Sequence, residues 1–383
     1  MDSSKCIRLD KANGRKVRQS VHGFPQPFQV VLRPGRQVLA KQDWPRNILA
    51  NRRSPCPGVT RGGFECGQAA STHQNGLGQY DAFPMRDLSA GFPDNAPVGR
   101  INEGMTNNNN PIGMFDSGVG GLSVLQHVRA VLPRESLLYV ADSGHAPYGG
   151  KPVDFIVRRS LAITEFLLEQ KAKAVVVACN TATAAAIARL RACFSIPIVG
   201  IEPALKPAVA ATRSGVVGIL ATGNTVRSDK FAALLDQHGQ RARVIVQPCP
   251  GLADCVERGD LHGPRCQMLL TRYLQPLLVE GVDTLVLGCT HYPFLIPAIQ
   301  RLVGPAVAIL DPSPAVARQL RRRLETGDLL AGEPATGGVR YFSSGPPEPT
   351  AALMARLLEH PVKLETLPEQ LRHDTLERLR PEI

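Results

Sequence analysis

No apolar run in this 383-residue chain approaches the roughly 20 residues that cross a bilayer. The opening stretch, MDSSKCIRLDKANGRKVRQS, has no apolar core of the kind a signal peptide needs. Nine cysteines are few for the length, and their spacings fit neither a zinc ligand set nor a disulfide framework. Aromatic residues make up 5% of the chain, with a single tryptophan, Trp44. No GxxxxGK[ST] phosphate loop occurs. These absences predict a soluble cytoplasmic protein with free thiols, no membrane partner, no metal and no cofactor.

The charge is positive overall, at +11, but unevenly placed. Residues 1–110 carry 15 Lys and Arg against 8 Asp and Glu, while the rest carries 29 against 25. That leading segment also holds 9 Pro and 12 Gly and shows no sustained period. Such a composition buries too little apolar surface to offset its ordering entropy, so 1–110 reads as a basic extension of low structure. Met105 is a natural start for the globular part. The Arg and Lys clusters could contact nucleic acid, although a solvated state is the ordinary fate of such runs.

From Pro111 onward short apolar strands alternate with helical periods, which predicts an α/β fold with mainly parallel sheets between helices. Expected strands fall at Ile112–Phe115, Leu137–Ala141, Val175–Val177, Ile198–Ile201, Val216–Ala221, Val244–Val246, Thr284–Leu287, Ala306–Leu310 and Val339–Phe342. A closing helix is expected over Pro349–Glu359.

Two of these strands end in cysteine. Val175-Val176-Val177-Ala178 runs into Cys179-Asn180-Thr181, and Thr284-Leu285-Val286-Leu287-Gly288 runs into Cys289-Thr290-His291. At nearly equal offsets beyond them stand Ile201-Glu202-Pro203 and Leu310-Asp311-Pro312, a weak internal echo that suggests duplicated units. A free cysteine is usually a small buried hydrophobe, and Cys193, Cys249, Cys255 and Cys266 are read that way. Cys179 and Cys289 differ because hydrogen-bonding side chains follow each at a strand end, where open α/β sheets hold ligands. Facing thiols suit one task in particular. One, as thiolate, takes a proton from a substrate carbon while the other, as thiol, returns one from the opposite face.

Rival readings attach to the other motifs. Gly118-Val119-Gly120 after a strand, with Asp142 ending the next, partly mimics a dinucleotide fingerprint, but Ser123 stands where the third glycine belongs. Asp116 alone reads as a helix cap, and Tyr148-Gly149 as a turn. A disulfide between Cys179 and Cys289 would make the pair a redox couple instead.

Taken together, FDSGVGGLSVL (115–125), YVADSGHAPYG (139–149), ACNTAT (178–183), GIEPALKPA (200–208) and LGCTHYP (287–293) resemble the glutamate racemases of the aspartate/glutamate racemase superfamily. The resemblance covers about 111–360. It implies two αβα sandwich domains, 111–204 plus 312–360 and 205–311, followed by a tail at 361–383. It further implies cofactor-independent interconversion of L- and D-glutamate, with D-glutamate supplied to peptidoglycan. Carried over by position, Cys179 and Cys289 are the acid/base pair. Asp116-Ser117, Tyr148-Gly149, Asn180-Thr181 and Thr290-His291 bind substrate. Asp116 and His291 tune the thiols, and Asp142 and Glu257 are assisting carboxylates. Related aspartate racemases tend to carry His after the first motif and Glu in place of His291, which favours glutamate; hydantoin racemase and maleate isomerase are further relatives. The same resemblance raises a homodimer, a cell-wall precursor as activator, and a non-catalytic homologue that restrains DNA gyrase.

Overall fold

The computed structural model describes residues 107–333 and 337–372, together with three short strands of the leading segment. Those three are β1 (Arg8–Leu9), β2 (Lys16–Val17) and β3 (Val30–Leu32). The rest of the 1–110 expectation lies outside the described residues, apart from the last few positions.

Two sheets carry the fold. The first holds β4 (Ile112–Asp116), β5 (Leu137–Ala141), β6 (Ala174–Val177), β7 (Ile198–Gly200), β12 (Val339–Ser343) and β13 (Leu364–Thr366). Its spatial order is β13-β12-β5-β4-β6-β7, and every pairing is parallel. The second holds β8 (Val216–Ala221), β9 (Arg243–Pro248), β10 (Thr284–Gly288) and β11 (Ala308–Leu310) in the order β11-β10-β8-β9, again parallel. To β9 the leading segment adds β3 antiparallel, with Val30 opposite Val246 and Leu32 opposite Val244. An otherwise open strand edge is thereby paired.

The weak sequence echo is a real duplication of topology. In chain order the strands β4 to β7 and the strands β8 to β11 take the same arrangement, second-first-third-fourth. In both sheets the order reverses between the first and third strands, and ligands of open α/β sheets sit at that crevice. The first sheet places Asp116 and Cys179 there, and the second places Thr222 and Cys289.

Local chemistry explains the central strands. β4, β5, β6 and β10 are buried along their whole length, as continuous Val/Leu/Ile-rich runs covered on both faces require. Helices α1 (Leu122–Val131), α2 (Val153–Glu169) and α3 (Asn180–Cys193) attend the first sheet. The second sheet is attended by α4 (Leu205–Ala211), α5 (Gly223–Val226), α6 (Asp229–His238), α7 (Leu252–Glu257), α8 (Pro264–Val279) and α9 (Ile296–Val303). The chain returns to the first sheet through α10 (Ser313–Thr326), β12 and α11 (Pro347–Leu358). No helix among the described residues is long and apolar enough to cross a membrane.

Two details differ from the sequence reading. The stretch beyond 360, expected as a tail, contributes β13 beside β12 and the short helix α12 (Glu369–Arg372). A two-pronged Arg340–Glu365 pair at 2.9 and 2.7 Å holds β13 in register. The helix after Cys289 is also delayed. Residues Tyr292–Leu295 form a 3-10 turn before α9 begins, since Pro293 and Pro297 supply no backbone N–H to bond back to the preceding turn.

Candidate active site

The two cysteines meet at the crevice between the sheets, in different local settings. Cys179 ends β6 and caps α3, its sulfur accepting the Ala182 N–H at 3.4 Å. A helix N-terminus favours a thiolate by up to about 2 kcal/mol. Here burial wins: desolvation, reinforced by the nearby Asp116 charge, pushes the Cys179 thiol far above its ordinary range despite the Ala182 contact. Its thiol points to Ser117 Oγ at 3.8 Å.

Cys289 instead lies 3.6 Å from His291 Nδ1 in the turn that follows β10. The far ring nitrogen of His291 bonds Glu257 Oε1 at 2.6 Å. Burial by itself would lower the pKa of this histidine. The contacts with Cys289 and Glu257 outweigh it and hold the imidazolium well above the ordinary value. Burial thus keeps the Cys179 thiol protonated, while Cys289 lies beside the His291 imidazolium.

Asp116, fully buried, joins the two halves. One carboxylate oxygen accepts the Gly118 N–H at 2.7 Å and the Ser117 hydroxyl at 3.1 Å, and the other accepts the Thr290 hydroxyl at 2.8 Å. Burial raises its pKa, and His291 and Thr290 offset part of the rise. Across the same seam Glu257 Oε1 accepts the Val119 N–H at 2.9 Å, and the Ser123 hydroxyl donates to the Thr290 carbonyl at 3.0 Å.

This seam explains the glycines that mimic a dinucleotide loop. A Cβ on Gly118 would lie 1.9 Å from Glu257 Oε1, and one on Gly120 would lie 2.3 Å from His291 Nδ1. The loop is bare because the opposite sheet's histidine and glutamate press on it. Gly120→Ala should therefore push the His291 ring off Cys289 and cut racemisation about a hundredfold. Steady-state rates beside a native-like thermal midpoint test this.

Asn180 and Thr181 follow Cys179 directly at the start of α3. Both polar atoms of the Asn180 amide are buried without a hydrogen-bond partner among the described residues. Such groups cost about 1–3 kcal/mol each unless a ligand meets them. The Thr181 hydroxyl lies 2.9 Å from that of Thr222 in the second sheet. Asp142 sits beneath the Tyr148–Gly150 turn rather than against either sulfur. Its oxygens accept from the Tyr148 hydroxyl at 2.5 Å, from Arg159 at 2.9 and 2.5 Å, and contact His145 Nδ1 at 3.0 Å. Burial opposes ionisation of Asp142, yet the His145 and Arg159 bonds hold its carboxyl well below the usual range.

Sequence reasoning missed Thr222, Thr225, Asn224 and Arg159. The two threonines share hydroxyl contacts with Thr181, and Thr222 caps α5. Their signal was a third hydroxyl-bearing strand end, Thr222-Gly223-Asn224-Thr225. Arg159, fully buried, lies on the apolar stripe of α2 with Ile156 and Ile163. A charge on such a stripe is the sign to look for. All six described cysteines are free thiols, and no cluster among the described residues could hold a metal ion.

Comparison with known proteins agrees with this geometry. Residues 122–320 match the Asp/Glu/Hydantoin racemase family. The chain is 59% identical over 249 residues to a glutamate racemase of Ectopseudomonas mendocina, covering 65% of this chain and 94% of that protein. A glutamate racemase isoform of Bacillus anthracis superposes with a TM-score of 0.64 at 32% identity, over 69% of this chain and 99% of that one. The Escherichia coli glutamate racemase, solved with L-glutamate and the activator UDP-MurNAc-Ala, superposes at 0.60 and 33% identity, over 67% and 98%. With matched thiol-bearing strand ends and curated relatives this similar, the chain belongs to the Asp/Glu/Hydantoin racemase family and is an amino-acid racemase.

Proposed function

We propose that the protein interconverts L- and D-glutamate by a two-base mechanism, with Cys179 and Cys289 on opposite faces of the α-carbon. The observation that carries this reading is the unequal setting of the two thiols, Cys179 held protonated by burial and Cys289 3.6 Å from the His291 imidazolium. In that state Cys289 removes the α-proton of the enantiomer that presents it, and Cys179 delivers a proton to the opposite face. The product leaves the two protonation states exchanged, which is the state required for the reverse reaction.

The substrate carboxylates and ammonium have matching groups at hand. Asn180 offers an unspent donor and acceptor, and the hydroxyls of Ser117, Thr181 and Thr290 ring the same crevice. Asp116 and His291 tune the thiols through Ser117, Thr290 and Glu257. Supply of D-glutamate to peptidoglycan follows from the likeness to the bacterial glutamate racemases. UDP-MurNAc-Ala, the activator named for the E. coli relative, is the effector to try first.

The test follows the α-proton in D2O by NMR alongside the change in optical rotation. L-glutamate should exchange and invert, and L-aspartate should do neither at a comparable rate. Because two enantiomers are equal in energy, kcat/KM must be the same from either side. Inversion of aspartate with glutamate untouched would move the reading to the neighbouring racemases. The same assay with and without UDP-MurNAc-Ala, and sizing of the protein in solution, tests the activator and the homodimer.

A further inference from the structure

We infer that Asn224 is a latch that locks the Tyr148–Gly149 turn against the second domain, and so acts as a positioning residue for the substrate group this turn binds. The inference rests on the proposed racemisation of glutamate and adds to it a residue that touches neither substrate nor thiol.

Asn224 lies on the four-residue helix α5, directly after β8. Its amide nitrogen carries two hydrogens, and both are spent on the other domain: one on the Tyr148 carbonyl at 3.0 Å, the other on the Lys151 carbonyl at 2.8 Å. The amide oxygen accepts from the Arg227 guanidinium at 2.6 Å. Turning the amide over would set its oxygen against two carbonyls and its nitrogen against a cation, so the contacts fix its orientation. The two carbonyls bracket the 3-10 turn Tyr148–Gly150 that presents the substrate pair.

The turn is thus gripped from two directions. From its own domain the Asp142 carboxylate, forked by Arg159, holds the Tyr148 hydroxyl. From the opposite domain Asn224 holds the backbone, and Gly149 packs so closely that a Cβ there would lie 3.1 Å from that of Thr222. Several other bonds across the seam, among them Thr290 to Asp116, Val119 to Glu257 and Thr181 to Thr222, involve the groups around the thiols. Asn224 stands outside that set, at the rim.

Entry of glutamate and exit of its mirror image need the crevice to open, and closure must then remake the Asn224 bonds. Ordering the turn and closing the domains become one event. Loss of the latch should weaken retention of either enantiomer while sparing the thiol chemistry.

The test compares Asn224→Ala, Asn224→Asp and Arg227→Ala with the native protein, in both directions. Asn224→Ala should raise KM about tenfold for both enantiomers, with kcat held within about twofold. Asn224→Asp, which sets a carboxylate against two carbonyls, should raise it further, and Arg227→Ala less. Hydrogen exchange of the Tyr148–Lys151 amides should accelerate in Asn224→Ala. A lowered thermal midpoint with KM and amide exchange unchanged would make Asn224 a brace and overturn the inference, as would a loss confined to kcat. If the native protein left glutamate unconverted, the functional reading alone would fail. The amide exchange would still decide the latch.

Discussion

Cys179→Ser and Cys289→Ser should each lose racemisation by at least about a thousandfold, the scale at which a positioned acid or base contributes. The two variants should nevertheless behave differently. In Cys179→Ser the remaining sulfur is Cys289, which keeps its imidazolium partner. It should still abstract the α-proton of one enantiomer and return a deuteron to the same face, giving exchange without inversion in D2O. In Cys289→Ser the remaining sulfur is Cys179, buried and held as a thiol. Exchange there should be confined to the opposite enantiomer and should be slower. The pattern would also assign each cysteine to its enantiomer. A variant that racemised within about tenfold of the native rate would remove its cysteine from the mechanism.

Arg159→Met should cost about 3–5 kcal/mol of folding stability, because it strands the Asp142 carboxylate inside the protein. The guanidinium is fully buried; besides Asp142 it bonds the Leu371 carbonyl at 2.7 Å and contacts the Tyr148 hydroxyl. His145 Nδ1 remains 3.0 Å from the carboxylate. The pH dependence follows from the depressed pKa of Asp142. In the native protein its contribution is present above the unfolded carboxyl value, about 3.9, and fades as pH falls toward the lower folded value. In the variant the carboxyl can take up a proton at milder acidity. The gap between native and variant urea midpoints should therefore narrow below about pH 4. A gap that stayed constant into acid would mean that Arg159 acts through packing alone. Asp142→Asn in the Arg159→Met background should recover part of the loss.

These expectations, with those for Gly120 and Asn224, divide the site by physical role. In the proposed mechanism the thiols carry protons, and Asp116, Glu257 and His291 set which thiol holds one. Asp142 and Arg159 support the Tyr148 side of the turn from below. The separation matters when variants are read, since on the proposed mechanism a carboxylate beneath a binding turn and a carboxylate beside a base should both lower activity when removed. Only the second should alter the pH profile of the thiol it serves.

Much of the site was legible along the chain because the strands that bear it are fully buried. A strand covered on both faces must read as an unbroken apolar run, so the polar residues that end β6 and β10 stand out where the run stops. That contrast identified Cys179-Asn180-Thr181 and Cys289-Thr290-His291, together with the α/β class. Element ends were read to within a few residues. The strand Leu364–Thr366 escaped because three residues with one apolar side chain carry no period, and only pairing to β12 makes them a strand.

What lay beyond the sequence depended on strand order and on contacts between distant segments. Periodicity cannot say that the third strand of each unit lies beside its first, yet that order brings Asp116 next to Cys179 and Thr222 near Cys289. The glycines at 118 and 120 looked like half a phosphate loop. Their reason is Glu257 and His291, more than a hundred residues away. Arg159 and Asn224 belong to the same class: each is an ordinary helix residue until folding sets a buried carboxylate or the carbonyls of a distant turn against it. The sequence by itself determined the fold class and the two thiols, because burial and alternation are local. The surroundings of each thiol, burial for Cys179 and the His291 imidazolium for Cys289, were decided by tertiary structure, because a pKa answers to desolvation and to charges brought from elsewhere in the chain.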